Sequence, residues 1–322
     1  MDTGFLREVD EGLSNFPKKL SSKYFYDQKG DELFQQIMNL PEYYLTRAEL
    51  EIFRHQSHAI IERMNLTPEI HLYELGAGDG TKSIILLQAI LNQQFRVHYH
   101  PIDISLNALN LLKSNIENAK LSIGFEPINN NYFDALELID EKIKESKLFV
   151  FMGSNLGNLP HPLAIDFLTN IREKMKTNDF LLMGLDKMKN PAKVLAAYND
   201  NQGVTRDFNL NILQRINNEL GGNFLLETFL HFPVYNPETG TTKSFLVSAI
   251  KQNVYVEKLS KTFSFEQWET IHTEISQKYN LSIINWLCEA AGLELLEVFA
   301  DANEYFLECL IIRGSSAKKQ RI

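Results

Sequence analysis

Residues 73–80 read Tyr-Glu-Leu-Gly-Ala-Gly-Asp-Gly, and this stretch decides the fold. A short apolar run precedes it, and a helical pattern over about 81–91 follows it. The order strand, glycine-rich turn, helix is typical of an α/β sheet, which binds ligands at the carboxyl ends of its strands. Because glycine has no Cβ, the turn lets the backbone approach a ligand closely. The next predicted strand, 96–102, leads into Asp103, which lies 23 positions after Gly80 and is suited to binding ribose hydroxyls.

The spacing of the glycines discriminates between cofactors. Gly76, Gly78 and Gly80 give G-x-G-x-G, whereas the dinucleotide-binding pattern is G-x-G-x-x-G. Glu74 precedes the turn and Asp79 lies within it, and two carboxylates disfavour a pyrophosphate and favour a cationic ligand. S-adenosylmethionine carries a sulfonium, an ammonium and a ribose but no phosphate, so the stretch favours this cofactor. A tight turn that binds no ligand remains the alternative for this stretch taken alone.

The composition limits the class of protein. The chain has 322 residues, of which 44% are hydrophobic, enough for one large domain or two closely associated ones. The net charge of −9 argues against a nucleic-acid partner, and the basic tail Lys318-Lys319-Gln320-Arg321 is expected to be a solvated terminus. Cys288 and Cys309 are too few for a disulfide framework or a zinc site, and we expect them in the core. Without a signal peptide or a bilayer-spanning run, the chain is predicted to be cytoplasmic and monomeric, with no membrane partner.

Strands and helices alternate along the middle of the chain. The predicted strands lie near 70–75, 96–102, 121–127, 147–152 and 179–185, and the helices between them include 104–119 and 161–176. This alternation predicts a doubly wound, mostly parallel α/β sheet. Near the end of the chain, strands 293–299 and 305–313 are joined by a short link and should form an antiparallel hairpin. A seven-stranded sheet ending in such a hairpin is typical of the methyltransferase variant of this fold.

Two other parts of the chain depart from this alternation. Residues 1–50 are polar and helical in character and do not resemble a sheet. Residues 190–220 are helical and rich in asparagine, and residues 224–256 carry strand-like runs that are divided by the turn at 236–240. We therefore predict an α+β lobe inserted into the sheet domain.

Several polar and aromatic side chains outside the glycine turn are candidates for binding a substrate. Tyrosines are concentrated in residues 24–44, and residues 196–209 are more polar than a packed helix requires. In a strand, Glu274 and Ser276 would point to the same face, where a carboxylate and a hydroxyl could bind both nitrogens of an imidazole.

Each candidate also has a structural interpretation. The tyrosines could belong to the core, Glu274 could be a solvated carboxylate, and Asn158 could cap the helix that starts near His161. His98 and His100 alternate in a buried strand and are interpreted as structural. The spacing of the histidines suits no metal, so no metal site is predicted.

A set of separate motifs occurs in one order along the chain. They are Phe25-Tyr26-Asp27, Leu40-Pro41-Glu42-Tyr43-Tyr44 with Thr46-Arg47, Glu74-Leu75-Gly76 with Gly78, Gly153-Ser154 with Gly157-Asn158-Leu159, Tyr198 with Asp200 and Gly203-Val204-Thr205, Phe208-Asn209 with Asn211, and Thr273-Glu274 with Ser276. With these motifs, the chain resembles over residues 15–312 the histidine-specific methyltransferases that make hercynine, the first intermediate of ergothioneine biosynthesis.

The resemblance implies roles for individual positions. The cofactor S-adenosylmethionine would be bound by Tyr26, Glu74, Gly76, Gly78, Lys82, Asp103, Asn131, Tyr132 and Gly153, with Asp103 on the ribose. The amino acid would be bound by Tyr43, Asn155, Asn158, Tyr198, Glu274 and Ser276, the last two at its imidazole, and Asn158 and Tyr43 are the candidate catalytic residues. Residues 53–188 and 279–314 would form the cofactor domain, and residues 1–52 and 189–278 the substrate lobe.

Four positions depart from the family pattern, and two of them are adjacent. Asn131-Tyr132 stands where the family usually has Asp-Phe near the adenine, which puts the affinity for the cofactor in question. Asn155 replaces a threonine near the substrate amine, and Ser244 replaces a bulkier apolar residue beside the imidazole. The Ser244 change leaves room for a different or looser side-chain preference.

The predicted function is therefore S-adenosylmethionine-dependent trimethylation of the α-amine of L-histidine to hercynine. One alternative is the same chemistry on another amino acid or small amine. Two further alternatives are a nicotinamide-dependent oxidoreductase, against which the glycine spacing argues, and a cofactor-binding module without activity.

Overall fold

A computed structural model describes residues 3–139 and 142–314 of the chain. The chain divides into two compact units. Residues 45–188 and 277–322 form one of them, here called the sheet unit, and residues 1–44 and 189–276 form the other, the lobe unit. The basic tail Lys318-Lys319-Gln320-Arg321 lies outside the described residues. Within the described ranges, the helices are all too short or too polar to cross a bilayer.

The helices and strands follow one another along both units. The helices are α1 (Thr3–Ser14), α2 (Gln28–Met38), α3 (Leu45–Glu62), α4 (Thr81–Asn92), α5 (Leu106–Asn118), α6 (Tyr132–Glu137), α7 (His161–Lys174), α8 (Pro191–Ala196), α9 (Val204–Leu220) and α10 (Leu281–Ala291). The strands are β1 (Lys18–Lys19), β2 (Glu69–Leu75), β3 (Arg96–Asp103), β4 (Gly124–Phe125), β5 (Ile128–Asn129), β6 (Ser146–Phe151), β7 (Phe180–Asp186), β8 (Phe229–Asn236), β9 (Thr241–Ser248), β10 (Gln252–Val256), β11 (Lys261–Phe265), β12 (Thr270–Gln277), β13 (Leu293–Ala300) and β14 (Phe306–Arg313).

The sheet unit contains one large sheet with the strand order β13-β14-β7-β6-β2-β3-β4. Strands β7, β6, β2, β3 and β4 are parallel to one another, whereas β14 runs antiparallel to both β7 and β13. The short strand β5 also pairs with β3, so β4 and β5 together form the seventh position of the sheet. The predicted fold class, a mostly parallel α/β sheet with an antiparallel C-terminal hairpin, is confirmed.

The core of the sheet unit explains why its central strands read as continuous apolar runs. Every residue of β6 and β7 is buried, as expected for parallel strands covered on both faces. One face packs against α6, α7 and α10, and the predicted core residues Cys288 and Cys309 are both buried there as free thiols. The register pairs Leu75 with Ile102, so the glycine turn after β2 lies beside Asp103 at the end of β3.

The lobe unit has a four-stranded sheet in the order β1-β12-β9-β8 and a separate hairpin of β10 and β11. Its core is formed by apolar side chains of α1, α2 and α9 together with those of the strands. Strands β8 and β9 are joined by the turn predicted at residues 236–240. The lobe is therefore an α+β unit that buries a core of its own.

Two predictions about strands are wrong in detail. The single strand predicted at 121–127 is divided into β4 and β5, because Pro127 between them has no N–H to donate to a ladder. The N-terminal region does contribute to a sheet, since Lys18 and Lys19 pair in parallel with Ile271 and His272 of β12. Neither lysine favours a strand by itself, so this pairing depends on tertiary contacts.

Candidate functional site

The glycine turn has a backbone that other residues would rarely adopt. Gly76, Gly78 and Gly80 have φ values of 78°, 56° and 75°, in the left-handed region that glycine adopts without a steric penalty. The N–H of Gly76 donates to Ile102 O at 2.8 Å, which ties the turn to the end of β3. The turn is thus a fixed backbone surface between β2 and α4.

The space above Gly76 and Gly153 is narrow. A Cβ built on Gly76 would lie 2.7 Å from Tyr132 Oη and 2.9 Å from Asn155 Nδ2. A Cβ on Gly153 would lie 3.4 Å from Lys82 Nζ and 3.5 Å from Asn155 Nδ2. Five residues that the sequence predicts as ligand contacts, four for the cofactor and Asn155 for the amino acid, therefore converge on one groove with a glycine floor. The amide of Asn155 lies against the glycines predicted to bind the cofactor.

Asp103 stands at one end of this groove. Its Oδ2 accepts a hydrogen bond from Gly78 N at 3.0 Å, and its Oδ1 accepts one from Ser105 N at 2.9 Å. Burial raises the pKa of Asp103, and these backbone donors oppose that shift because they favour the carboxylate. These two hydrogen bonds hold the carboxylate beside the glycine turn.

Glu74 is engaged beneath the turn. It is 2% exposed, and its carboxylate accepts hydrogen bonds from Ser83 Oγ at 2.8 Å and from Tyr99 Oη. Burial raises the pKa of Glu74 to about 7. Although the sequence predicts Glu74 as a cofactor contact, its carboxylate is used here to join β2 to α4 and β3.

Lys82 is positioned by Glu49, a residue that no sequence motif singles out. Its Nζ forms a 2.5 Å ion pair with Oε2 of Glu49, which is 1% exposed, and Oε1 of Glu49 accepts a hydrogen bond from Gly153 N at 2.6 Å. Burial disfavours the ammonium, but the charge of Glu49, its hydrogen bond and the other nearby acids together outweigh burial and raise the pKa of Lys82. Glu49 thus joins the lysine to the loop after β6.

Asn131 has a local structural role. It is the N-cap of α6: its Oδ1 accepts from Asp134 N at 3.1 Å, and its Nδ2 donates to Asp134 Oδ2 at 2.6 Å. Asparagine and aspartate are comparable N-caps, so the departure from Asp at this position preserves α6. Because Tyr132 is the first residue of α6, this cap also fixes the position of Tyr132, whose hydroxyl lies over Gly76.

The loop after β6 is held in a tight conformation. Ser154 has a φ of 58°, and its Oγ accepts from Asp186 N at 2.9 Å. A Cβ on Gly157 would lie 2.8 Å from Gln277 O, so this loop packs closely against the last residue of β12, which belongs to the sheet unit. Asn158 ends the 3-10 turn Asn155–Asn158 and is partly exposed. The predicted alternative, that Asn158 caps α7, is wrong, because the N-cap of that helix is Pro160.

The lobe unit groups the aromatic candidates around Phe34. The rings of Tyr26 and Tyr43 contact that of Phe34 edge-on, with centroids 5.7 and 6.3 Å away. Tyr26 also contacts Phe208 at 5.7 Å. Both tyrosines are partly exposed, whereas Tyr44 is buried and bonded to Lys189. Tyr26 and Tyr43 thus belong to one partly open aromatic cluster.

The polar candidates of the lobe unit meet at strand β12. Glu274 and Ser276 are two positions apart on this strand and so share one face, as predicted. Tyr198 Oη donates to Ser276 Oγ at 2.8 Å, and Ser244 Oγ donates to Glu274 Oε2 at 3.3 Å. Ser244 is 1% exposed, so its hydroxyl contacts the carboxylate of Glu274 from the buried side. The sequence indicates only that Ser244 is small and does not predict this contact.

The histidines of β2 and β3 form a stack. The His71 ring lies 4.7 Å from that of His98 and 5.3 Å from that of His100, and burial lowers the pKa of His100 to about 4, so that ring is neutral at pH 7. Across residues 3–139 and 142–314, no three His, Cys, Asp or Glu side chains are grouped as metal ligands. The stack therefore has a packing role.

Comparison with known proteins points to one family. Residues 5–313 match the family described as histidine-specific methyltransferase, SAM-dependent. The chain is 35% identical to histidine N-alpha-methyltransferase of Mycobacterium tuberculosis, and the match covers 93% of each chain. It is 32% identical to histidine N-alpha-methyltransferase of Mycolicibacterium smegmatis, over 95% of this chain and 94% of that relative. It is 29% identical to ergothioneine biosynthesis protein 1 of Neurospora crassa over 91% of this chain and 33% of that longer protein.

Proposed function

The chain belongs to the family of histidine-specific, S-adenosylmethionine-dependent methyltransferases, and from this premise we propose that it methylates the α-amine of L-histidine three times to give hercynine. The observation that carries the choice of substrate is the acid–hydroxyl pair Glu274 and Ser276 on one face of β12. The names of the mycobacterial relatives support the same substrate. Family membership favours methyl transfer over the nicotinamide-dependent alternative.

The groove of the sheet unit fits S-adenosylmethionine. A Cβ at Gly76 would meet two side chains, as expected where a ligand runs over bare backbone. Lys82 would bind the carboxylate of the cofactor, and Asp103 would accept hydrogen bonds from its ribose hydroxyls. When bound, the cofactor supplies an electrophilic methyl group on a cationic sulfur.

Glu274 and Ser276 would bind the imidazole of the substrate. A carboxylate can only accept, so Glu274 would take the imidazole N–H in a charge-assisted hydrogen bond. Ser244 Oγ, 3.3 Å from Oε2, would fix the orientation of that carboxylate. Tyr198, bonded to Ser276 Oγ, would in the same way fix the hydroxyl.

Asn158 and Tyr43 would bind the reacting end of the amino acid. Methyl transfer requires a neutral amine held in line with the methyl group, with water excluded. A neutral amide such as that of Asn158 can orient the amine without stabilising its protonated form. The partly open cluster of Tyr26, Phe34 and Tyr43 offers aromatic faces to the trimethylammonium product, which is a cation.

Mass spectrometry of a reaction mixture tests the proposed function. Purified protein with L-histidine and S-adenosylmethionine should give mono-, di- and trimethylated histidine, with the methyl groups on the α-nitrogen. N-acetylhistidine, whose amine is blocked, should give no product. Methylation of the imidazole ring, or preferred turnover of tryptophan or tyrosine over histidine in competition, would contradict the proposal and favour another amino-acid substrate.

Glu274→Ala should weaken histidine binding by at least about tenfold, because a charge-assisted hydrogen bond contributes roughly 1.5–3 kcal/mol. Affinity for S-adenosylhomocysteine should stay within about twofold, since Glu274 is assigned to the imidazole alone. Calorimetric titration of both ligands measures this. The matched control is Glu238→Ala, which removes an exposed carboxylate from the turn between β8 and β9 and should change neither affinity. Equal losses for both ligands would remove Glu274 from imidazole recognition.

A further inference from the structure

Glu308 is an acid in an otherwise apolar stretch of strand. It lies in β14, is 0% exposed, and has Leu307, Cys309 and Leu310 as buried neighbours. Neither of its carboxyl oxygens receives a hydrogen bond from the described residues. A buried carboxylate that accepts no hydrogen bond is costly in free energy, so burial favours the neutral, protonated form of Glu308.

A second buried acid, Glu49, lies beside Glu308. Glu308 is the register partner of Gly184 on β7, and a Cβ at Gly184 would lie 2.8 Å from Glu308 Oε1 and 2.5 Å from Glu49 Oε1. Both carboxyl groups therefore occupy the space left by the missing side chain of this glycine. Two acceptors in such contact, both buried, cannot both be ionised without a large cost.

The hydrogen bonds decide which acid carries the proton. Both oxygens of Glu49 already accept, from Lys82 Nζ at 2.5 Å and from Gly153 N at 2.6 Å, and these donors stabilise its ionised form. Glu308 has no such donors, and burial together with the charge of Glu49 raises its pKa well above the usual range. A proton on Glu308 turns it into a donor toward Glu49.

We propose that Glu308, in its protonated form, is a positioning residue of the cofactor site: it donates to Glu49, which in turn holds Lys82 Nζ and the N–H of Gly153. The inference rests on the proposed function, in which Lys82 binds the cofactor carboxylate. With one lysine and one ionised acid the cluster is neutral. Ionisation of Glu308 would add a negative charge beside Lys82 and repel that carboxylate.

The ionisable groups that face this cluster come from four elements. They are Glu49 on α3, Lys82 on α4, Glu74 on β2 and Glu308 itself on β14. Glu74 is engaged by Ser83 and Tyr99, which leaves Glu49 and Lys82 as the direct neighbours of Glu308. Cofactor affinity should therefore be high while Glu308 is protonated and should fall as rising pH removes its proton.

The test compares Glu308→Gln with Glu308→Leu by calorimetric titration of S-adenosylhomocysteine across neutral to alkaline pH. Glutamine is neutral and still donates, so it should keep the neutral-pH affinity within about threefold, whereas leucine removes the donor and should weaken binding at least about tenfold. The alkaline loss of affinity in the parent protein should be smaller in Glu308→Gln, which retains Lys82 but cannot ionise at 308. Cys309→Ala, the adjacent buried position, controls for a general loss of packing and should bind normally.

The outcomes separate this inference from the proposed function. If the parent protein failed to bind S-adenosylhomocysteine, the proposed function would fall and the inference with it. If the parent bound but Glu308→Leu bound equally well, or if the pH profiles of the parent and Glu308→Gln coincided, the inference alone would be overturned. Should the leucine variant fail to fold, the pH comparison of the parent with Glu308→Gln decides.

Discussion

Gly76→Ala is expected to abolish measurable binding of S-adenosylhomocysteine. The added methyl group would lie 2.7 Å from Tyr132 Oη and 2.9 Å from Asn155 Nδ2, so both side chains would have to shift from their positions over the glycine turn. Overpacking of this kind costs about 1–3 kcal/mol, and a left-handed φ of 78° adds about 1–2 kcal/mol for alanine. The affinity should drop at least about a hundredfold, as measured by calorimetric titration.

Gly78→Ala is the matched comparison for this prediction. Gly78 is also left-handed, with a φ of 56°, but a Cβ there would meet no described atom within 4 Å. The two variants thus share the backbone strain, and only Gly76→Ala also displaces Tyr132 and Asn155. Gly76→Ala is therefore expected to have the lower unfolding midpoint, because overpacking also destabilises the fold, and to lose much more affinity than Gly78→Ala while still folded. Equal affinities in the two variants would show that the ligand does not run over Gly76.

The main sheet could be predicted because its strands are encoded locally. Strands β6 and β7 are mostly apolar, strands β2 and β3 carry apolar residues between polar ones, and the observed limits of all four differ from the predicted ones by a residue or so. The prediction failed where a strand depends on its neighbour: β1 consists of two lysines that become a strand only by pairing with β12. A pattern within one segment contains no information about such a partner.

In the candidate site too, residues in local motifs could be predicted, whereas residues that meet only through tertiary packing could not. The glycine turn and Asp103 could be identified from spacing, because the carboxyl ends of adjacent parallel strands meet. Glu49 and Glu308 were missed, since neither belongs to a motif that spacing could identify and their proximity arises from tertiary packing. One signal was present: Gly184 interrupts an apolar strand, and such a glycine often marks a close approach of other groups.

Asn158→Ala is expected to abolish turnover while leaving cofactor binding intact. Asn158 is partly exposed at the end of a 3-10 turn, and its side chain makes no hydrogen bond to the described residues, so its removal should cost little stability. If its amide orients the substrate amine, misalignment alone should lower kcat by about a hundredfold or more. Rates of methyl transfer, with titration of S-adenosylhomocysteine, measure the two effects separately.

Asn158→Asp distinguishes orientation of the amine from simple occupancy of the site. The aspartate has the same shape, but its negative charge would stabilise a protonated amine and so raise the pKa of the bound substrate. Because only the neutral amine can accept a methyl group, the pH–rate profile of this variant should shift to higher pH, whereas Asn158→Ala should be slow at every pH. A near-normal rate in Asn158→Ala would remove Asn158 from the reaction. An unshifted profile in Asn158→Asp would mean that the amide does not contact the amine.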